Sequence, residues 1–478
     1  MRSRTVQPIK QKKPDRRRGR ENGRGNGRRR PGDETQPMRP VEAGERRYGR
    51  PGSSGIRSGY ERYQRTIDRR QRVVRTPAPE RARRPGKVRR SAFAELIIRL
   101  RRKNAEKAQY FDYDMLFIII FLMCFGLVML YSTSSYTAQT ELGDGMYYFS
   151  KQALIGLLGF AAMFIVSRID YHLYGAFAVE IYIFSLIMMA LVQTPLGITL
   201  NGARRWIRLP GNMTLQPAEI TKIAVILFIA YELCRLGKKA YTWEGMVRVF
   251  GLGAIASAGV LFLTDNLSTA IIVMAITCIL IFMIHPKTKP FILFLVIAAA
   301  VAAVGIMILA NIAADSDNFR LQRIISWLNP EATADDGSYQ VMQGLYAIGA
   351  GGLFGKGLGN STQKMVIPEA QNDMILVVIC EELGIFGVIV ILILFGLLLY
   401  RLMFIARNAP DLYGSLIASG IFAHIALQVV LNIAVVTGML PTTGITLPFI
   451  SYGGTAVVFL MTEMGIALGI SRKIRLED

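Results

Sequence analysis

The chain has 478 residues, 52% of them hydrophobic, and a formal net charge of +22. Residues 1–110 hold 35 basic and 11 acidic residues, whereas the rest of the chain holds 21 and 23. A basic tail joined to a nearly neutral, very apolar body excludes a uniform soluble domain and indicates a membrane protein. The basic tail has no recognisable nucleic-acid-binding fold, so no nucleic-acid partner is expected.

The first element in chain order is the tail, residues 1–92. It is rich in Arg, Gly and Pro and has no sustained hydrophobic period, so we predict that it is disordered and cytoplasmic. Residues 93–110 mix aliphatic and basic side chains, which predicts a juxtamembrane amphipathic segment that binds anionic lipid. A solvated linker whose charges only set the membrane topology explains the same residues equally well.

Residues 111–478 predict an all-α, polytopic membrane domain. About 20 mostly apolar residues cross a bilayer, and about ten such stretches occur, at 115–132, 151–167, 174–194, 217–234, 247–263, 267–284, 290–312, 374–400, 412–437 and 446–471. Every connection on the tail's side carries Lys or Arg, as cytoplasmic loops do. Both termini are therefore predicted to be cytoplasmic in a bacterial cytoplasmic membrane protein.

Two connections on the outer side, 195–216 and the large extracellular loop 313–373, are too long and polar to be simple turns. Loops of this kind in compact proteins are usually functional. The four cysteines and three histidines are scattered without ligand spacing, so we expect neither a disulfide framework nor a structural zinc site.

The first polar cluster lies in loop 195–216 and at the start of the fourth span. Pro217 suits the first turn of a helix, which places Glu219 and Lys222 on one face. Together with Arg205 they predict a cation-rich pocket suited to a pyrophosphate. A salt-bridged helix start is the structural alternative.

Acidic residues mark the next two clusters. Asp265 stands at the outer mouth between two spans, where capping of a helix is its alternative role. The long loop has a glycine-rich middle, suited to close packing or re-entrant backbone, and then runs through Lys364 and Glu369 to Asp373. Asp373 lies where water meets hydrocarbon, and partial desolvation or a nearby cation can prepare its carboxylate to accept a proton. Its alternative role is to cap the eighth span.

Two further features lie within predicted spans. Glu381 and Glu382 are adjacent acids that need a partner or a cavity at membrane depth. Residues 441–454 contain two prolines and three glycines and include Ser451, which predicts broken backbone that protein groups must satisfy. Shaping the bundle is the alternative role of this segment.

In combination, these motifs resemble the SEDS family of bacterial cell-wall proteins, of the FtsW/RodA/SpoVE type. The resemblance covers about residues 112–475 and rests on GARRWI with QPAEITK, TDNLSTA, YQVMQGLYAIGAGGLFGKGLGNSTQK, IPEAQNDMI with EELG, and PTTGITLPFISYGG. It implies ten membrane helices and a peptidoglycan glycosyltransferase that polymerises lipid II at the outer face of the membrane. It also implies a class B penicillin-binding protein as partner.

The resemblance places the family's essential acid on Asp373, as the general base. The substrate-binding positions predicted from the motifs are Arg205, Glu219, Lys222, Asp265, Lys364, Glu369 and Ser451, of which Arg205, Lys222 and Lys364 are expected to face the pyrophosphate. No cofactor is assigned; a divalent cation, Mg or Mn, could assist the pyrophosphate, but no residues have the spacing of its ligands. The metal-ligand set is therefore empty.

Two other functions stay open on the sequence. A lipid II flippase would use intramembrane acids and a histidine, namely Glu180, Glu382, His424 and Glu463. A non-catalytic scaffold for a class B penicillin-binding protein would need none of these groups. The long basic tail favours a division role, with other divisome or elongasome proteins as partners, over elongation or sporulation.

Overall fold

The computed structural model describes residues 110–200, 203–209, 213–285 and 338–475, together with isolated positions between 289 and 328. The predicted tail 1–92, nearly all of the juxtamembrane segment 93–110 and most of the predicted span 290–312 lie outside the described residues.

The described residues form a bundle of α-helices. These are α1 (Tyr113–Leu142), α2 (Tyr147–Val166), α3 (Tyr171–Ala176), α4 (Ala178–Leu191), α5 (Pro217–Leu236), α6 (Trp243–Leu263), α7 (Leu267–Ile284), α8 (Tyr339–Gly351), α9 (Ile375–Asn408), α10 (Leu412–Val436) and α11 (Ala456–Ser471). Within the described ranges, six of them are long and apolar enough to cross a membrane: α1, α2, α6, α7, α9 and α10. The all-α, polytopic membrane fold is thus confirmed.

The predicted spans and the helices agree best where an apolar run is continuous. The prediction 267–284 coincides with α7, and 412–437 ends one residue beyond α10. Two predictions differ from the helices by ten residues at one end: the span predicted to end at 132 continues in α1 to Leu142, and the span predicted to start at 446 begins in α11 only at Ala456. The residues before Ala456 form turns and irregular backbone, as their prolines and glycines require.

Loop 195–216 contains a small antiparallel sheet that the sequence analysis did not predict. Its strands are β1 (Gly197–Leu200), β2 (Ala203–Leu209) and β3 (Met213–Leu215), in the order β1-β2-β3. A Cβ atom at Gly197 would lie 1.9 Å from the Val192 carbonyl oxygen, so only glycine fits at that position. The Thr455 hydroxyl donates to the Thr214 carbonyl over 2.7 Å and ties the sheet to the start of α11.

Helix α5 lies at the centre of the bundle. It packs against α4, α6, α7 and α10, and most of its residues are buried. Its contact with α10 is close, because a Cβ atom on Gly420 would lie 2.7 Å from the Ile226 side chain. Small residues allow helix backbones to approach in this way. The charged residues at the start of α5 are thereby held inside the bundle.

Helix α9 is broken at Gly384, whose φ of 68° and ψ of −170° are not helical. The break receives the glycine-rich loop that follows α8, since Ile385 donates its N–H to the Gly352 carbonyl. Gly357 donates likewise to the Glu382 carbonyl. Gly384 lies about 14 Å along α9 from its first residue at 1.5 Å per residue. The chain therefore re-enters the bundle to this depth, in agreement with the predicted use of these glycines.

Basic and acidic side chains join three connections at the other end of α9. The Tyr171 hydroxyl and the His172 ring both bond to Asp411, the latter over 2.9 Å. Lys473, directly after α11, pairs with Asp170. Donation from Lys473 and His172 lowers the pKa of the Asp170 carboxyl. This end of the bundle is a network of ion pairs at the surface.

Candidate active site around Asp373

Asp373 lies in the turn immediately before α9, and its side chain is buried with 8% exposure. Its Oδ1 atom receives a weak hydrogen bond from the Gln340 side chain over 3.5 Å. In the described part of the chain, no Lys, Arg or His side chain forms a salt bridge with Asp373. Asp373 is therefore a buried carboxylate with little direct support for its charge.

Burial dominates the protonation of Asp373. It raises the pKa of the carboxyl to about 6, and the negative charge of Glu369 adds to the rise. The Asp373 N–H, the Arg323 guanidinium and the Gln340 amide act in the opposite direction. A carboxylate of this kind is a strong enough base to take a proton near neutral pH and is ionised there.

The buried amide of Asn432, on α10, connects Asp373 with the fourth motif. It donates one hydrogen bond to the Asp373 carbonyl over 2.9 Å and another to the Ile445 carbonyl over 2.7 Å. A Cβ atom on Gly444 would lie 4.0 Å from the Oδ2 atom of Asp373. The motif at 441–454 thus lies directly against the candidate base.

Side chains from several elements satisfy the irregular backbone of this motif. Four of its main-chain carbonyl oxygens accept hydrogen bonds from side chains: Thr442 from Arg323, Thr443 from Ser268, Thr446 from Gln428, and Ser451 from Gln152. Ser451 itself is buried, and its hydroxyl accepts from the Leu447 N–H over 2.8 Å. The predicted broken backbone, satisfied by protein groups, is confirmed.

Glu219 and Ser451 line one cleft between α5 and the fourth motif. Glu219 pairs with Lys222 over 2.9 Å, and Lys222 is almost completely buried. The predicted proximity on one face of α5 is confirmed. This ion pair matches the structural alternative given by the sequence, a salt-bridged start of the helix.

The first two polar clusters meet in space. The Nη2 atom of Arg205, on β2, donates to the Asp265 carbonyl over 3.0 Å. Asp265 has a φ of 47° in the turn between α6 and α7, and the cap of α7 is the side chain of Asn266, which accepts from the Thr269 N–H. The alternative role of Asp265 as the helix cap is therefore wrong.

Lys364 belongs to a different cluster, deeper along α9. Its ammonium pairs with Glu382 over 3.1 Å and donates to the Gly359 carbonyl over 2.7 Å. The Ser132 hydroxyl of α1 also donates to Glu382, over 2.6 Å. Glu381 accepts from Lys356 over 2.6 Å and from the hydroxyl of Ser361. The sequence indicated that the two acids need partners at membrane depth. Loop residues 356–364 and α1 supply them.

The residues of the alternative transport path do not form one group. Glu382 is engaged with Lys364, as described above, whereas His424 pairs with Glu463 over 2.7 Å between α10 and α11. Glu180, on α4, is exposed on the surface of the bundle. His424 and Glu463 are nevertheless both buried, an expensive arrangement at membrane depth.

Sequence reasoning missed three residues near Asp373: Gln340, Arg323 and Asn432. Arg323 lines a cleft together with Ser326, Trp327 and Ser338. Neither Gln340 nor Arg323 stands beside an acid in the sequence, and Asn432 lies within an apolar span. The one signal available from the sequence was the polarity of Asn432 at membrane depth.

No group of three or more His, Cys, Asp or Glu side chains in the described residues has the geometry of a metal site. The charge of Glu369 acts on Asp373, and Glu369 accepts from the Asn372 side chain over 2.5 Å.

The fold and the site define a polytopic membrane protein with a buried acid at one end of its helix bundle. The FtsW/RodA/SpoVE family, described as "Cell cycle protein", matches residues 113–476. A Trichlorobacter lovleyi protein named "Probable peptidoglycan glycosyltransferase FtsW" is 38% identical over 392 residues, 80% of this chain and 98% of the relative. "Stage V sporulation protein E" of Bacillus subtilis is 37% identical over 368 residues, 76% of this chain and 98% of the relative.

Solved structures give the same result. A chain of a peptidoglycan synthase complex that coordinates polymerization and crosslinking matches with a TM-score of 0.63 and 25% identity, over 77% of this chain and 99% of that one. The rod shape determining protein RodA of Thermus thermophilus matches with a TM-score of 0.54 and 25% identity, over 77% and 98%. The chain belongs to the FtsW/RodA/SpoVE family, and its enzyme class is that of the peptidoglycan glycosyltransferases.

Proposed function

We propose that this enzyme polymerises lipid II into glycan strands at the outer face of the cytoplasmic membrane, with Asp373 as the general base. The observation that carries the proposal is the burial of Asp373 without a salt bridge in the described residues, which raises its pKa to about 6. The names of the relatives support the reaction class.

In the proposed reaction, a sugar hydroxyl of one lipid-linked disaccharide attacks the anomeric carbon of another glycan. A carbon–oxygen bond forms there, while the bond from that carbon to the pyrophosphate oxygen breaks and leaves its electron pair on undecaprenyl pyrophosphate. The hydroxyl proton passes to the Asp373 carboxylate. General base catalysis of this kind accelerates reactions by about 10² to 10⁴.

Positive charge must face the departing pyrophosphate. Sequence reasoning proposed Arg205, Lys222 and Lys364 for this role, and the ion pairs of the two lysines favour structural roles for them instead. Arg323 is the cation whose charge acts on Asp373, and its guanidinium bonds to the Thr442 carbonyl over 3.2 Å. We therefore add Arg323 to the proposed substrate-binding set, beside Arg205, Glu219, Asp265, Glu369 and Ser451.

The proposed orientation follows from the two ends of α9. Asp373 precedes this helix, whereas Arg407 lies in its last turn. Lys473 and Arg472 follow α11 at the end where the surface ion pairs lie. The positive-inside rule places that end, and both termini, in the cytoplasm and Asp373 outside. Labelling of single cysteines at 144 and 411 with an impermeant reagent would test this topology.

A class B penicillin-binding protein is the proposed partner, supported by the match to a chain of a complex that couples polymerization with crosslinking. A division role, other divisome or elongasome proteins, and anionic lipid at residues 93–110 remain predictions from the sequence. Co-purification from membranes, followed by localisation of the tagged chain at the septum or the side wall, distinguishes division from elongation.

The test of the proposed function is Asp373→Asn, which keeps the shape of the side chain and removes the base. We expect the purified full-length variant, with its penicillin-binding protein, to polymerise fluorescent lipid II about 10² to 10⁴ times more slowly. Asp144→Asn is the matched control, because Asp144 is an exposed outer residue before α2. Polymerisation by Asp373→Asn at the rate of the control would refute the assignment.

A lipid II flippase is the second candidate, and the buried His424–Glu463 pair is the observation that favours it. A transporter would lose lipid transfer across vesicles in Glu463→Gln while the Asp373→Asn variant still transferred lipid. The proposed polymerase predicts the reverse pattern in the polymerisation assay. The non-catalytic scaffold predicts that both variants support polymerisation by the complex.

A further inference from the structure

Three polar side chains follow one another along the buried face of α10. His424, Gln428 and Asn432 are four residues apart, so they lie on one side of the helix. Each bonds to a different partner: His424 to Glu463, Gln428 to the Thr446 carbonyl, and Asn432 to two carbonyls at the site. Among them, Asn432 alone is bonded to Asp373.

The two hydrogen bonds of Asn432 link segments that are far apart in the sequence. One N–H of its amide reaches the Asp373 carbonyl over 2.9 Å, and the other reaches the Ile445 carbonyl over 2.7 Å. Both distances are those of good hydrogen bonds. The amide therefore fixes the main chain that carries the candidate base relative to the fourth motif.

The Asp373 side chain lies beside the fourth motif, to which this link ties its main chain. Its Oδ2 atom lies near Gly444, the residue directly before Ile445. The direct support of the carboxylate is weaker, because the Gln340 amide is 3.5 Å from Oδ1. The main chain, and hence Asn432, is the firmer of the two restraints on the position of the carboxylate.

Asn432 is a costly residue at this position. It has no exposed surface, and among the described residues its Oδ1 atom has no hydrogen-bond partner. An unsatisfied buried acceptor destabilises the folded state. A leucine of similar size would avoid that cost but would leave the Asp373 and Ile445 carbonyls without the amide donor, so what distinguishes Asn432 is the pair of carbonyls that it holds together.

We propose that Asn432 is a positioning residue of the active site, which holds the main chain of Asp373 against the fourth motif so that the carboxylate meets the attacking sugar hydroxyl. This inference rests on the proposed function. Displacement of a catalytic group by about 1 Å can lower a rate about 10²-fold. The loss of the link should therefore act on the chemical step more than on substrate binding.

The test compares Asn432→Leu with Gln428→Leu in the full-length chain with its penicillin-binding protein. Both variants replace a buried amide on the same face of α10, but only the first breaks a bond to Asp373. We expect Asn432→Leu to lower kcat for lipid II polymerisation 10- to 100-fold, with KM changed less than threefold. The acid limb of its pH–rate profile should move below the wild-type midpoint, because a released carboxyl gains water. Gln428→Leu should keep the wild-type midpoint.

Thermal unfolding of both variants shows whether the chain is folded, and Asn432→Ser gives a second, smaller replacement if Asn432→Leu fails to accumulate. Equal losses of kcat in the Asn432 and Gln428 variants, with unchanged pH midpoints, would overturn the positioning role and leave a structural one. If the Asp373→Asn variant polymerised lipid II at the wild-type rate, the proposed function itself would be refuted. The two failures are therefore distinguishable.

Discussion

Two groups of acids on and beside α9 have opposite surroundings. Glu381 and Glu382 lie inside the helix, are completely buried, and are engaged by Lys356, Lys364 and nearby hydroxyls. Asp373 precedes the helix and is buried almost as deeply, yet its carboxylate receives one long hydrogen bond from a side chain. The depth of burial is similar, whereas the compensation of the charge differs.

The proposed roles of the two groups, structural for Glu381 and Glu382 and chemical for Asp373, follow from this difference. A buried carboxylate that is paired and hydrogen-bonded stays charged and holds its neighbours in place. A buried carboxylate with little support gains a proton more readily, which is what a general base must do. Burial by itself therefore does not distinguish a catalytic carboxylate from a structural one. The salt bridges and hydrogen bonds that the carboxylate receives are what distinguish them.

The largest expected effect is a loss of stability when the salt bridge of Glu382 is removed. Lys364→Met leaves Glu382 buried without its cation, so we expect a loss of about 3 to 5 kcal/mol of stability. The double variant Lys364→Met with Glu382→Leu should recover most of it, because no buried charge remains. Thermal unfolding in detergent measures both.

Lys356→Met is the matched control for this prediction, because Lys356 pairs with Glu381 but is 34% exposed. Its loss should be smaller than that of Lys364→Met, because water reaches Lys356 and Glu381 keeps the hydrogen bonds from Ser361 and Thr362. Equal unfolding temperatures of the Lys356 and Lys364 variants would contradict this difference between the two lysines.

The next effect concerns pH and the poorly supported acid. The base is active when ionised, so polymerisation should fall about tenfold per unit as pH decreases below about 6. Stability should respond in the opposite direction, because the folded-state pKa is raised. The contribution of Asp373 to stability is complete below the ordinary carboxyl pKa and is lost as pH rises through about 6.

Rate measurements between pH 4.5 and 8 would show this acid limb, with thermal unfolding at each pH to confirm that the chain is folded. In Asp373→Asn the residual rate should lack the limb. A wild-type limb centred near pH 4 would contradict the effect of burial on Asp373.

The smallest expected effect is a shift in the pKa of Asp373 caused by a charge that does not touch it. Glu369 raises the pKa of Asp373 through its negative charge, so Glu369→Gln should move the acid limb downward by a few tenths of a pH unit. Asp144→Asn removes an acid that does not act on Asp373 and should leave the limb in place. An upward movement in the Glu369 variant would show that its charge is not the cause.

Sequence reasoning predicted the helices well and the partners less well. The spans of α7 and α10 followed from continuous apolar runs, and Asp373 followed from its place between a polar loop and a span. The cations assigned to the pyrophosphate were chosen by proximity in motifs, and two of them pair with acids in the structure. Arg323 carried no local signal, and Asn432 carried only its polarity within an apolar span, because the partners of both residues are distant in the chain.

The sequence by itself determined the membrane bundle, the family resemblance and the candidate base, because hydrophobic length and motif order are local properties of a chain. Only the tertiary structure decided which charges are compensated. The return of loop 352–364 to Gly384 pairs both glutamates, and the approach of Asn432 places Asp373 beside the fourth motif. These contacts join residues that are distant along the chain, and packing of the helices is what brings them together.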